Sequence, residues 1–159
     1  MRPVGPERFR AVMGRFPTGV TVVTAVGPEG PVGMTANAVT SLSLDPLLLI
    51  VCFANGGRTL PVVRDVGRFG VNVLAAGQEE LARRFAGKLP EAEKFEGVPY
   101  SLDDGVPVVE GAHAWLGCEL EQLVPGGDHT IGIGAVRAAE IGIGEPLAWY
   151  AGRYGRFDS

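Results

Sequence analysis

The chain has 159 residues, which fits one domain and leaves room for a core without disulfide or metal staples. With 46% hydrophobic and 20% charged residues, it has enough apolar side chain to offset ordering entropy, so a disordered chain is excluded. A net charge of −4, a pI near 5.2 and no cluster of Lys or Arg exclude a nucleic-acid binder.

The two cysteines, Cys52 and Cys118, sit in apolar runs without CxxC or metal-ligand spacing. They read as reduced, buried thiols, and no metal site is expected. The N-terminus carries no apolar signal region, and the longest apolar run, Leu47 to Ala54, is eight residues. A bilayer needs ~20, so the expectation is a soluble, cytoplasmic protein without a membrane partner. One composition anomaly remains. Glycine accounts for 24 residues, about twice the usual ~7%.

In chain order, Phe9, Val12, Met13 and Phe16 fall at helical spacing and Pro17 stops the run. Thr18 to Ala25 is rich in Val and Thr and reads as a strand, followed by a turn at residues 27–31. Asn37 to Leu44 alternates apolar and hydroxyl residues until Asp45-Pro46 breaks it. Leu47 to Ala54 is continuously apolar, the pattern of a strand buried on both faces. After the turn Asn55-Gly56-Gly57 come a short helix over 59–66, a strand over 69–74 and an amphipathic helix over 78–86 that Gly87 stops.

Residues 88–107 mix charge, Pro and Gly and read as a partly exposed excursion. Two long strands are expected over 112–124 and 129–141, and an aromatic tail follows with Trp149, Tyr150, Tyr154 and Phe157. Within the second strand, Ile131-Gly132-Ile133-Gly134 puts Ile on one face and Gly on the other. A glycine face implies close approach of another backbone or a flat ligand. Six or seven strands with two or three short helices indicate a mainly β fold, a closed or nearly closed barrel with helical decoration.

The familiar catalytic signatures are missing: no GxSxG, no HExxH, no Walker loop, no GxGxxG opening a helix. His113 lies in an alternating strand and reads as structural. His129 begins a strand after Gly126-Gly127-Asp128, where a side chain lines a barrel mouth; the plainer alternative is a turn histidine bonded to Asp128. The stretch GMTANAVTSLSLDP, residues 33–46, places Thr35, Asn37, Thr40, Ser41 and Ser43 within nine residues. Small hydroxyl and amide groups with exposed backbone N–H suit a polar heteroaromatic ligand with a phosphate. The alternative is an edge strand with a solvated polar face.

The run FRAVMGRFPTGVTVVTA, residues 9–25, together with that stretch resembles the flavin reductase-like family. The likeness continues in order through FGVNVL (69–74), Arg84-Phe85-Ala86, Lys94-Phe95, GDHTIGIGAV (127–136), Pro146-Leu147 and the aromatic tail. It implies a homodimeric FMN-binding split barrel that moves hydride from NADH or NADPH to FMN, or alternatively FAD. It also implies a flavin-dependent monooxygenase as recipient of the reduced flavin. A split-barrel flavoprotein holding FMN tightly as an electron carrier is the alternative function.

By the same resemblance Met34, Thr35, Ala36 and Asn37 lie along the flavin ring, and Thr40, Ser41 and Ser43 run toward the ribityl chain. Asn72, Phe85 and Ala86 line the site, Lys94 and Phe95 border it, Tyr154 of the tail belongs to it, and His129 lies where nicotinamide stacks. One departure stands out: serines that many relatives use for the flavin phosphate are Gly56 and Gly57 here, followed by Arg58 and Thr59. Backbone N–H groups and Arg58 are expected to take over that contact. Hydride transfer needs no protein nucleophile, which explains the absent signatures, and small glycines are expected to keep the slot for two stacked rings open.

Overall fold

In the computed structural model residues 3–157 are described. Helix α1 (Pro6–Met13) is capped by Gly14 and leads past Pro17 into a short strand, β1 (Thr18–Gly19). Strands β2 (Thr21–Gly27) and β3 (Gly30–Ala36) form one hairpin, and β4 (Val39–Leu44) and β5 (Leu47–Ala54) a second. Helix α2 (Thr59–Val66), β6 (Arg68–Val73), α3 (Glu79–Ala86) and α4 (Glu91–Phe95) follow. Then come three more hairpins: β7 (Tyr100–Asp103) with β8 (Val106–Val109), β9 (Ala114–Gly126) with β10 (His129–Ile141), and β11 (Leu147–Tyr150) with β12 (Arg153–Arg156).

Seven strands form one antiparallel sheet in the order β3-β2-β6-β9-β10-β5-β4. β3 and β4 follow each other in the chain, yet they occupy opposite edges. Only Asn37 and Ala38 separate them, and three Cα steps of ~3.8 Å hold the two ends within about 11 Å. The sheet must therefore curl until its edges meet. Where they meet, the Cys52 N–H donates to Ala38 O at 3.0 Å. Beyond that point β3 pairs only with β2 and β4 only with β5. The result is the expected split barrel.

Alternation along each strand sorts side chains into two cores. Val23, Val51, Phe53, Phe69, Val71 and Cys118 fill the barrel interior, and Leu60 and Val63 of α2 complete it. Outside β2 and β3 a second cluster joins Val20, Val22 and Leu74 to Ala82 and Phe85 of α3, Phe95 of α4 and Leu147 of β11. Burying each of these large apolar side chains stabilises by roughly 1.5–3 kcal/mol.

Two sequence expectations need correction. The glycine face of β10 opens no slot. A Cβ at Gly132 would lie 2.6 Å from the Phe53 ring, and one at Gly134 the same distance from the Phe69 ring. Those rings meet edge to face inside the barrel, with centroids 5.9 Å apart. Gly33 does the same for Phe85 and Gly117 for Trp115, so at these positions the glycine excess serves aromatic packing.

β5 is not buried on both faces. Leu49, Val51 and Phe53 point inward, while Leu48, Ile50 and Cys52 lie half-buried on the outer face and Leu47 is exposed. The apolar stripe of α1 is left uncovered by the described residues: Phe9, Val12, Met13 and Phe16 are all exposed. Finally, the excursion over 88–107 contains α4 and the β7–β8 pair, and the aromatic tail is the β11–β12 hairpin.

Candidate functional site

The split gathers most of the polar strip. β3 turns one side to β2, and the other is an open edge. Gly33 reveals which groups face that edge: its N–H donates to Glu91 Oε2 at 2.9 Å, and its carbonyl accepts from Lys94 Nζ at 3.2 Å. Backbone groups alternate sides along a strand, so the N–H and C=O of Thr35 also face the open edge. Met34 and Ala36 turn their side chains to the barrel interior and partly close its rim. The Thr35 hydroxyl is not free, since it donates to Ala82 O of α3 at 2.6 Å.

Asn37, at the bend between the edges, is exposed, and its amide has no partner among the described residues. On β4, Ser41 sits opposite Leu49 and is exposed, again without a partner among the described residues. Thr40 stands opposite Ile50 and makes only a 3.3 Å bond to Ser41 O, and Ser43 Oγ accepts the Asp45 N–H at 3.2 Å. Two unpaired strand edges thus converge on unpartnered amide and hydroxyl groups. A flat heteroaromatic ring with carbonyl and N–H edges fits such a cradle, and backbone donors can serve its carbonyls without side-chain bulk.

The end of β5 supplies the next wall. Asn55 N–H donates to Asp128 O at 3.1 Å, Asn55 Nδ2 to Gly127 O at 3.1 Å, and Thr130 Oγ1 to Asn55 Oδ1 at 2.7 Å. The two turns, 55–57 and 127–128, are therefore tied into one rim. Gly57 N–H is already given to Ala54 O, whereas Gly56 N–H has no partner among the described residues.

His129 pairs with Ala54 of β5 at the same barrel end as Asn37, about two strand spacings, or ~10 Å, across the sheet from the β4 edge. Its Nδ1 lies 2.8 Å from Asp128 Oδ1, so the bond of the plainer alternative is present, and Nε2 has no partner among the described residues. That bond, and the charge the imidazole carries when protonated, hold the Asp128 carboxyl below its usual pKa. The other histidine, His113, lies just before β9.

Several expected site residues are buried rather than facing the split. Asn72 is wholly buried under β8, where its amide donates to Val22 O at 3.1 Å and Thr24 Oγ1 at 3.2 Å, and its carbonyl accepts the Val109 N–H at 2.7 Å. It fastens β8 to the barrel and offers no group to a ligand. Phe85 and Phe95 are interior and meet edge to face at 4.9 Å, and Thr59 is buried at the start of α2. Lys94 is buried on the β3 edge rather than bordering open space.

Ala86 ends α3 and is exposed. Arg58 turns toward the 88–91 segment, giving Nη2 to the Lys88 and Leu89 carbonyls and Nε to Glu91 at 3.4 Å, which leaves Nη1 for a ligand. Tyr154 meets Trp149 edge-on at a centroid distance of 4.7 Å, beneath the Arg83 guanidinium. Both cysteines are free thiols, and burial pushes the Cys118 thiol up to about 12, so Cys118 is not poised as a nucleophile. Sequence reasoning missed Glu91 and Asn55. Only the i,i+3 spacing of Glu91 and Lys94 hinted at a pair.

The flavin reductase like domain family matches residues 13–158. A flavin reductase of Pseudomonas putida is 40% identical over 157 residues, covering 97% of this chain and 91% of the relative. The reductase subunit HsaB of a Mycobacterium tuberculosis flavin-dependent monooxygenase is 36% identical over 155 residues, covering 95% and 82%. Among solved structures, the NADH:FAD oxidoreductase SgcE6 of Streptomyces globisporus, in complex with NAD and FAD fragments, superposes with a TM-score of 0.91 at 40% identity, covering 99% and 98%. With its split barrel and open-edged cradle, the chain belongs to the flavin reductase-like family and is a nicotinamide-dependent flavin oxidoreductase.

Proposed function

We propose that the chain holds FMN, or alternatively FAD, in the split between β3 and β4, and that NADH or NADPH docks over it from the His129 side. The observation that carries this reading is the convergence of the two unpaired edges on Asn37 and Ser41, with the Thr35 backbone groups facing the same opening. A flavin held there would supply N5 as the acceptor for the nicotinamide hydride. Thr35 N–H, Asn37 and Ser41 donate to it, Met34 and Ala36 form the apolar floor, and Gly56 N–H with Arg58 Nη1 serves the phosphate. His129 Nε2 orients the nicotinamide, with Asp128 fixing the ring through Nδ1.

The reduced flavin passes to a partner monooxygenase, a reading supported by the likeness to a monooxygenase reductase subunit. The working unit is a homodimer. Its support is the uncovered apolar face of α1 together with the half-buried outer face of β5, which monomeric proteins rarely expose together. The test is NADH oxidation followed at the nicotinamide absorbance with FMN in large excess over protein. Many turnovers per chain are expected. A single turnover confined to bound flavin would support the electron-carrier alternative, and no oxidation would overturn both.

A further inference from the structure

We propose that Glu91 is a positioning residue that sets the flavin-facing edge of β3, an inference that rests on reading the split as the flavin slot. An edge strand has no neighbour to align its outward backbone groups, yet at Gly33 both are satisfied. Glu91 Oε2 accepts the Gly33 N–H at 2.9 Å, and Lys94 Nζ donates to Gly33 O at 3.2 Å. The two side chains are joined by a 3.0 Å ion pair through Glu91 Oε1. Together they imitate one residue of an adjacent strand.

The pair is sheltered, with side-chain exposures of 14% for Glu91 and 6% for Lys94. Removing Glu91 would strand a buried ammonium without its counter-charge and a buried N–H without an acceptor. On its other face Gly33 is pressed against Phe85, where a Cβ would lie 2.6 Å from the ring. The Gly33 peptide is thus gripped from two sides, and two residues later the Thr35 N–H and C=O face the slot. Arg58 Nε reaches Glu91 at 3.4 Å, while its Nη2 binds the Lys88 and Leu89 carbonyls. One carboxylate therefore ties β3 to α4 and to the start of α2.

The test combines FMN fluorescence titration, steady-state kinetics with NADH, and amide exchange at Gly33, on the full chain. Glu91→Ala is expected to raise the Kd and KM for FMN at least tenfold while kcat falls less than threefold. Gly33 exchange should quicken at least tenfold while β2 and β6 amides keep their protection. Glu91→Gln retains an oxygen for the Gly33 N–H, so its FMN Kd should rise only three- to tenfold. A role confined to stability would lower the melting temperature and leave the FMN KM unchanged. An FMN Kd within twofold of wild type in Glu91→Ala, while Asn37→Ala/Ser41→Ala raises it tenfold, overturns the proposal and leaves the slot standing. If neither variant moves the Kd, both fall. Should Glu91→Ala not fold, Glu91→Gln decides alone: a three- to tenfold rise supports the proposal and a Kd within twofold overturns it.

Discussion

At Asn37 and Ser41 two side chains with hydrogen-bonding capacity stand in the split without a protein partner among the described residues. Each lost bond to a bound ligand costs roughly 0.5–1.5 kcal/mol, so the double change Asn37→Ala/Ser41→Ala should raise the FMN Kd about tenfold or more. Fluorescence titration of the folded variant checks this. His129 acts on the other substrate, so His129→Ala should lose about ten- to a hundredfold in kcat/KM for NADH, ~1.4–2.8 kcal/mol, with FMN affinity far less changed. Full NADH turnover in that variant would reduce His129 to a turn residue. The Asp128 carboxyl has a depressed pKa, so its bond to His129 is present above the usual carboxylate range and is lost only as pH falls through the lower, folded value. An Asp128→Asn variant should accordingly differ from wild type across neutral pH in a pH–rate profile and converge with it only on the acid side.

Among the elements, β10 and β6 separate packing from binding. Gly132→Ala forces a Cβ into the Phe53 ring, and such overpacking typically costs ~1–3 kcal/mol, while Gly56→Ala meets nothing within 4 Å and should cost far less. Asn72→Ala leaves the buried Val109 N–H without its acceptor, at about 1–3 kcal/mol, and should leave FMN affinity unchanged. Thermal unfolding with parallel FMN titration distinguishes these effects. The same elements mark how far sequence reasoning reaches. Helix 59–66 and strand 47–54 were legible because turn residues bound their apolar runs, and strand 129–141 because it follows a turn and alternates Ile with Gly. The polar strip was legible as a cluster of residue types, but not its direction. That the Thr35 hydroxyl turns to α3 while its backbone faces the split depends on strand parity and on a helix 47 residues away. Asn72 was placed in the site by the family resemblance alone, and nothing in the sequence shows that its amide is spent on Val22, Thr24 and Val109. The glycines of β10 were read as space for a ligand because their neighbours in the barrel, Phe53 and Phe69, are remote in sequence. No local pattern announced the short α4 either, so Glu91 went unnoticed.

For the molecule as a whole, two apolar surfaces are left open by the single chain: the α1 stripe and the half-buried outer face of β5 and β10. An isologous dimer burying more than ~2,000 Å² in total would cover them, and light scattering at micromolar concentration should give twice the chain mass. Phe9→Glu/Phe16→Glu should shift that mass toward one chain. No helix among the described residues is long and apolar enough to cross a membrane, so the apolar α1 stripe is too short to be a transmembrane helix. At this scale the central claim is a location: the flavin lies in the split, along the free edges of β3 and β4. A crystal structure of the chain grown with FMN tests it most directly. The ring should lie against the Thr35 backbone with Asn37 and Ser41 within hydrogen-bond distance, and a ring bound anywhere else, with the split left empty, would contradict it.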